Sequence, residues 1–400
     1  MKKKTLILLY AVCCLLPVAQ GQLVSLSRSG GGPLWVDLDR LFNYNQYEKS
    51  RWGLGLRYGY HINELKAGDP WYKRLSVGAY FGYGYADQRF KWGADAYYWT
   101  DLKHQGKVYL SFFHDLTPEA SRQLSAYSLS SFTASGSFMN RLFSDTRRLT
   151  AGFSSRTRGH ERCGLEVRLS DERKLYGNTI YYPQNQDEWN TLEHTRFAEA
   201  LLLFEHDCGI MGEVTFGHHT GEWGQDSGFF VRALVQYDQV FPIGNPFDLQ
   251  VYAQAGFSDH APLSRCFNLG GTWGSPLLFH RSLLTVRLDE FIANVFALTC
   301  LRFGFSQPLF VLQNNLLVIG TAPRPFVLLD AAWGKMSNFN NAAPDRGIAE
   351  VGAGIDGLVR WGAVDWGIVV AYRLTPTEAF YHLPEPKDNL LFLFTATLRS

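Results

Sequence analysis

From Arg74 to Gln88 the chain sorts by parity: Leu75, Val77, Ala79, Phe81, Tyr83 and Tyr85 alternate with Ser76, Gly78, Tyr80, Gly82, Gly84 and Ala86. Successive side chains of a strand point to opposite faces, so this stretch predicts a strand with one apolar face and one small or polar face. The same alternation recurs almost to the last residue. It predicts sixteen strands, at 33–41, 51–61, 74–86, 89–101, 106–116, 147–157, 161–172, 194–206, 209–220, 228–240, 246–258, 291–306, 324–334, 347–360, 363–374 and 389–399. No run has competing helical periodicity, and 135–145 reads as a short helix or a loop excursion.

Sixteen is an even number, and each run is long enough to cross a bilayer at a tilt, which takes roughly 9–11 residues. Outer-membrane barrels have short periplasmic turns and longer external loops. With both ends periplasmic, the external connections are 42–50, 87–88, 117–146, 173–193, 221–227, 259–290, 335–346 and 375–388. The inner ones are 62–73, 102–105, 158–160, 207–208, 241–245, 307–323 and 361–362, so the tight turn 87–88 and the long stretch 307–323 run against the rule.

A soluble sandwich also alternates, and two features weigh against one. Tyr and Trp cluster near strand ends, where an apolar ring with a polar tip suits a membrane interface. The polar faces carry Glu166, Arg168, Arg232, Asp248, Gln250, Glu350, Asp356 and Arg360, which a wet or well-paired lumen accommodates and a dry core does not. An open sheet edge in hydrocarbon leaves backbone groups unpaired, which forces closure. The expected fold is all-β, a closed antiparallel transmembrane β-barrel of about 16 strands.

Composition agrees. Aromatic residues make up 15% of the chain, glycine is plentiful at 38, and the formal net charge of +1 has no basic block to suggest nucleic acid. The opening "MKKKTLILLYAVCCLLPVAQGQ" places three lysines before an apolar run and small residues, the pattern of a secretory signal at 1–21 cleaved after Gly21. "YAVC" lacks the context of a lipidated cysteine. Residues 22–32 then form a short periplasmic segment and 33–400 the barrel. The remaining cysteines, Cys163, Cys208, Cys266 and Cys300, are too scattered for a disulfide framework or a zinc site and read as isolated buried thiols.

Candidate chemistry is sparse. His218 and His219 lie on opposite faces of one strand, so with Glu222 they read as a polar cluster at a loop mouth and not as a metal site. Asp37 and Asp39 share a face and read as a solvated lumen surface, with calcium the lesser reading. His114 and His194 sit beside polar neighbours, but no serine spacing selects a partner for either as a lipid hydrolase would need. No enzyme, cofactor or metal is expected.

Five segments add a resemblance: "CFNLGGTWGSP" (266–276), "CLRFGFSQPLF" (300–310), "PFVLLDAAWGKM" (325–336), the run 349–376 and "LLFLFTATL" (390–398). In this order they resemble the C-terminal half of surface-antigen barrels, the superfamily of outer-membrane assembly and secretion factors. The segment 37–59 is similar to the barrel start of uncharacterised members that carry a carboxypeptidase-regulatory-like domain ahead of the barrel. The resemblance implies sixteen strands and a loop bearing Leu269, Gly270 and Gly271, folded back into the lumen after strand eleven. It makes Asp330 the lumen acid that faces a loop arginine. The family's arginine is missing from Thr272–Ser275, leaving Arg281 or Arg287 to stand in, and Ala332 replaces a usual glycine.

About ten residues separate the cleavage site from the first strand, so the family's periplasmic polypeptide-binding repeats are not expected, and the last strand ends in Arg399-Ser400 without a terminal aromatic. The implied location is the outer membrane, and the implied role is assisting insertion or export of proteins or lipids. Outer-membrane lipids and a client polypeptide or periplasmic protein would be its partners. A passive pore or structural surface protein is the alternative, and a lipid hydrolase is less favoured.

Overall fold

The computed structural model describes residues 23–25, 33–37, 42–45, 49–60, 62–118, 143–157, 161–175, 194–221, 226–269, 283–286, 291–314, 319–336, 346–361, 364–375 and 389–398. The signal at 1–21, Asp39, Glu222, Gly270, Gly271, Thr272–Ser275, Arg281, Arg287 and Arg399-Ser400 lie outside them.

The alternating runs form strands close to where periodicity places them. β1 has two segments, Leu34–Asp37 and Phe42–Asn45, both paired with β2, Lys49–Tyr58. The expected external loop at 42–50 is therefore shorter than its sequence suggests, because residues 42–45 continue the ladder. Then follow β3 (Leu75–Gly84), β4 (Phe90–Asp101), β5 (Gly106–Pro118), β6 (Phe143–Arg156), β7 (Glu161–Leu175) and β8 (Thr195–His206), each antiparallel to the one before. β9 is Ile210–His219 and β10 is Gly228–Gly244. β11 (Phe247–Asp259), β12 (Val295–Phe305), β13 (Arg324–Lys335), β14 (Arg346–Trp361), β15 (Val364–Arg373) and β16 (Leu390–Leu398) form a second antiparallel meander. The chain divides into two units, the first ending at Val231 and the second running from Arg232 onward with Cys208–Met211.

Two further expectations change. The helix-or-loop reading at 135–145 gives way at Phe143, where β6 begins. Asp145 and Arg147 alternate with Ser144 and Thr146, so both faces are polar there and periodicity has nothing to detect. The long inner stretch 307–323 holds a small hairpin, Leu312–Asn314 against Ile319–Thr321, whose second arm pairs with Trp361 and Arg360 of β14.

The two faces of these strands invert the soluble pattern. In the first unit Val77, Phe81, Trp92, Leu110, Phe153, Leu165, Val167 and Leu202 are exposed, while Lys91, Asp95, Asp115, Glu166 and Glu172 are buried. The buried ions are partnered: Arg51 meets Asp115 at 2.6 Å, Arg57 meets Asp95 at 2.8 Å, Arg148 meets Glu172 at 3.1 Å, and Arg168 meets Glu166. In the second unit Val327, Leu329, Trp333 and Phe392 are exposed and Asp330, Glu350, Asp356, Asp365 and Arg373 are buried. An apolar outside around a paired ionic inside is the arrangement of an antiparallel transmembrane β-barrel fold. No helix among the described residues is long and apolar enough to cross a membrane.

The belt has the right height. On β7 the exposed face runs Cys163, Leu165, Val167 and Leu169 between Glu161 and Asp171. Ten residues at about 3.3 Å each, tilted roughly 40°, span about 25 Å, the height of a barrel's apolar band.

Candidate functional site

The long connection between β11 and β12 is anchored onto the buried face of the second unit. Asn294 donates its side-chain amide to the Ser258 carbonyl at 3.0 Å and its backbone N–H to the Lys335 carbonyl at 2.9 Å, tying the loop's root to β11 and β13. Phe267–Asn268 pairs with Ile292–Ala293 as a small ladder, and the Leu269 N–H donates to the Phe291 carbonyl at 2.8 Å. Leu269 is fully buried. Phe267 packs at a tilt against Phe296 of β12, ring centres 4.8 Å apart, and lies under the Arg232 guanidinium, 4.6 Å from its ring centre. Gly256 of β11 makes room for both rings, since a Cβ there would sit 2.3 Å from the Phe296 ring and 2.9 Å from that of Phe267.

Farther along, Leu283–Val286 returns to the same face. Leu284 is 1% exposed and packs among Phe326, Leu328, Val369 and Ala371, an apolar patch on an otherwise ionic wall. Glu350 of β14 holds this turn from beneath. Its carboxylate accepts the Leu284 N–H, the Thr285 N–H at 2.8 Å and the Thr285 hydroxyl at 2.6 Å. The register explains how it gets there. Cys300, Asp330, Glu350 and Arg373 stand opposite one another across β12, β13, β14 and β15, so four side chains form one row on the buried face. One residue of register slip on any strand would turn its member of the row outward.

Asp330, which the resemblance makes the acid facing a loop arginine, is 1% exposed in this row beside Glu350, and Arg281 and Arg287 lie outside the described residues. The group that grips the loop backbone is its neighbour Glu350, which sequence reading had placed on the polar face without a role. Parity could give it a face, but not a partner 65 residues away. Toward the other end of this face, Arg302 pairs with Asp356, and Arg324 and Arg360 converge on Asp365 at 3.2 and 3.1 Å.

The remaining candidates separate. His218 meets Phe229 edge to face at 4.8 Å, while His219 is buried on the opposite face beside Phe197 and Phe230, so they do not converge. The four cysteines carry thiols and not disulfides; Cys266 and Cys300 are buried as expected, but Cys163 and Cys208 are exposed. On β7, Cys163 falls on the outward parity, which explains its exposure. His114 and His194 come together in one cavity on the exposed face of the first unit, beside Asp145 and Asp171 respectively. No serine, threonine or cysteine is among the described residues that line that cavity.

No protein-family model matches the chain, and no curated protein matches it. Among solved structures it is similar to CdiB from Escherichia coli, with 13% identity and a TM-score of 0.48 over 89% of this chain and 61% of that one. It is similar also to BamA from Haemophilus ducreyi lacking POTRA domains 1-3, with 9% identity and a TM-score of 0.48 over 97% and 78% of the two chains. Outer-membrane expressed OmpT of Vibrio cholerae gives 10% identity and a TM-score of 0.38 over 94% and 99%. The chain thus spans about three fifths of the length of that CdiB (61%).

Proposed function

We propose that the chain is an integral outer-membrane barrel of the surface-antigen superfamily that assists insertion or export of proteins or lipids. The β11–β12 loop would be its internal working element. The observation that carries this reading is the grip of Glu350 on Leu284 and Thr285. A buried carboxylate that takes two backbone N–H groups and a hydroxyl from the loop is built to hold that loop on the inner wall, which an open pore does not need. In this reading Arg281 or Arg287 supplies the counter-ion for Asp330, the leader at 1–21 directs export, and the partners are outer-membrane lipids and a client polypeptide or periplasmic protein. No cofactor or covalent chemistry enters.

Deletion of the gene, followed by quantitative comparison of envelope proteins and outer-leaflet lipids, tests the role. The expected result is selective loss of a small set of outer-membrane proteins or of one lipid class. An unchanged envelope, together with steady ion-sized currents from the purified protein in planar bilayers, would establish a passive pore in its place.

A further inference from the structure

The exposed face of the first unit is apolar through the belt and then turns abruptly ionic. The registers set its rows. Ala94, Phe112, Leu149, Leu169 and Ala198 stand opposite one another across β4 to β8. The next outward row reads Trp92, His114, Arg147, Asp171 and Arg196. Above it Asp145 stands opposite Arg173. This edge adjoins the long connections 119–142 and 176–193, which marks it as the external end of the belt.

A cavity of about 330 Å³ opens in these two rows, walled in part by Phe90, which is 65% exposed. Its two carboxylates are already engaged. Asp145 takes His114 at 2.9 Å and Arg89 at 3.1 Å, and Asp171 takes His194 at 3.4 Å. Arg147 and Arg173, both exposed and both lining the cavity, have no ion-pair or hydrogen-bond partner among the described residues. Two uncommitted guanidiniums at the rim of an apolar belt face the headgroup layer. Guanidinium is the cation best shaped to take phosphate oxygens two at a time.

We propose that this cavity binds the phosphate monoester headgroup of an outer-leaflet lipid. Arg147 and Arg173 clamp the phosphate, Arg89 adds a third positive charge, and His114 and His194, held by Asp145 and Asp171, form part of the cavity wall. The acyl chains run down the Phe112–Leu149–Leu169 row, where Ala94 and Ala198 leave shallow relief. A dianionic monoester suits the site better than a diester, because three arginines face only two carboxylates, both already engaged. The inference needs the outward-facing belt but not the loop or any assembly role, so it stands or falls separately from them.

The test is retention of lipid by the detergent-purified chain in native mass spectrometry, at fixed salt, with diphosphorylated lipid A and its fully dephosphorylated form as probes. The chain is expected to retain the phosphorylated lipid at least tenfold better. The double variant Arg147→Gln/Arg173→Gln should lose that preference, and Arg147→Lys/Arg173→Lys should recover part of it. Gel mobility of unheated samples confirms that each variant is folded. Equal retention of both lipids, full retention by the folded glutamine variant, or displacement of the lipid by millimolar inorganic phosphate would overturn the proposal.

Discussion

Glu350→Ala is expected to free the loop turn at Leu284–Thr285 and so to speed tryptic cleavage at Arg281 and Arg287, which flank it in sequence. The effect should be large because the loss is compound. Hydrogen bonds to a charged group contribute about 1.5–3 kcal/mol each, and removing one partner leaves the others buried and unsatisfied. Three donors converge on Glu350, which is itself inaccessible to solvent, and two of them are backbone N–H groups. A cost of about 3–5 kcal/mol shifts the docked-to-free ratio roughly 10²–10⁴-fold. Glu350→Gln keeps acceptor capacity at one oxygen and should fall in between. Digestion rates of native protein in micelles read the ratio directly. Equal rates for wild type and Glu350→Ala would mean that the carboxylate does not hold the loop.

Val167→Arg is the second large expectation. Val167 lies in the middle of the exposed run on β7, flanked along the strand by Leu165 and Leu169 and across the sheet by Ala151 and Ala200. A guanidinium at the bilayer midplane of a barrel's lipid face costs about 2–4 kcal/mol, equivalent to roughly 30- to 1,000-fold in the folding equilibrium. Its neighbours cannot offset this: Glu166 beside it is buried on the other face, and the outward acids of β7, Glu161 and Asp171, stand at the two ends of the run. Val167→Leu changes only volume and should cost under about 1.5 kcal/mol. Urea titration of refolding into vesicles distinguishes the two. A neutral Val167→Arg would place that face in water.

Most of the fold was legible because a strand with lipid on one side and an ionic interior on the other alternates along its whole length. The pattern weakened only where both neighbours of a strand are aqueous. Ser144–Thr146 is such a place: the start of β6 is polar on both faces there, so the alternation begins only at Arg147 and the earlier residues show as strand through pairing with β5 and β7. The same blindness hid the lipid-facing cavity. Arg89, His114, Arg147, Asp171 and His194 come from five strands or their ends and meet only through register, which no single segment encodes. For the loop site, alternation placed Glu350 on the polar face, and Asp330 entered only through the family resemblance. Which of the two takes the loop depends on where Leu284 docks, and that is set by the apolar patch of Phe326, Leu328, Val369 and Ala371 drawn from β13 and β15.

Whether the apolar face truly meets lipid can be read from one stretch of β6. Nitroxide labels placed singly at Leu149, Ala151 and Phe153 should collide freely with dissolved oxygen in a bilayer and be shielded from a water-soluble nickel reagent, while labels at Thr150 and Ser154 should show little access to either. Nickel access at the three odd positions equal to that of a loop label, or a protein that stays monodisperse without detergent, would contradict the account.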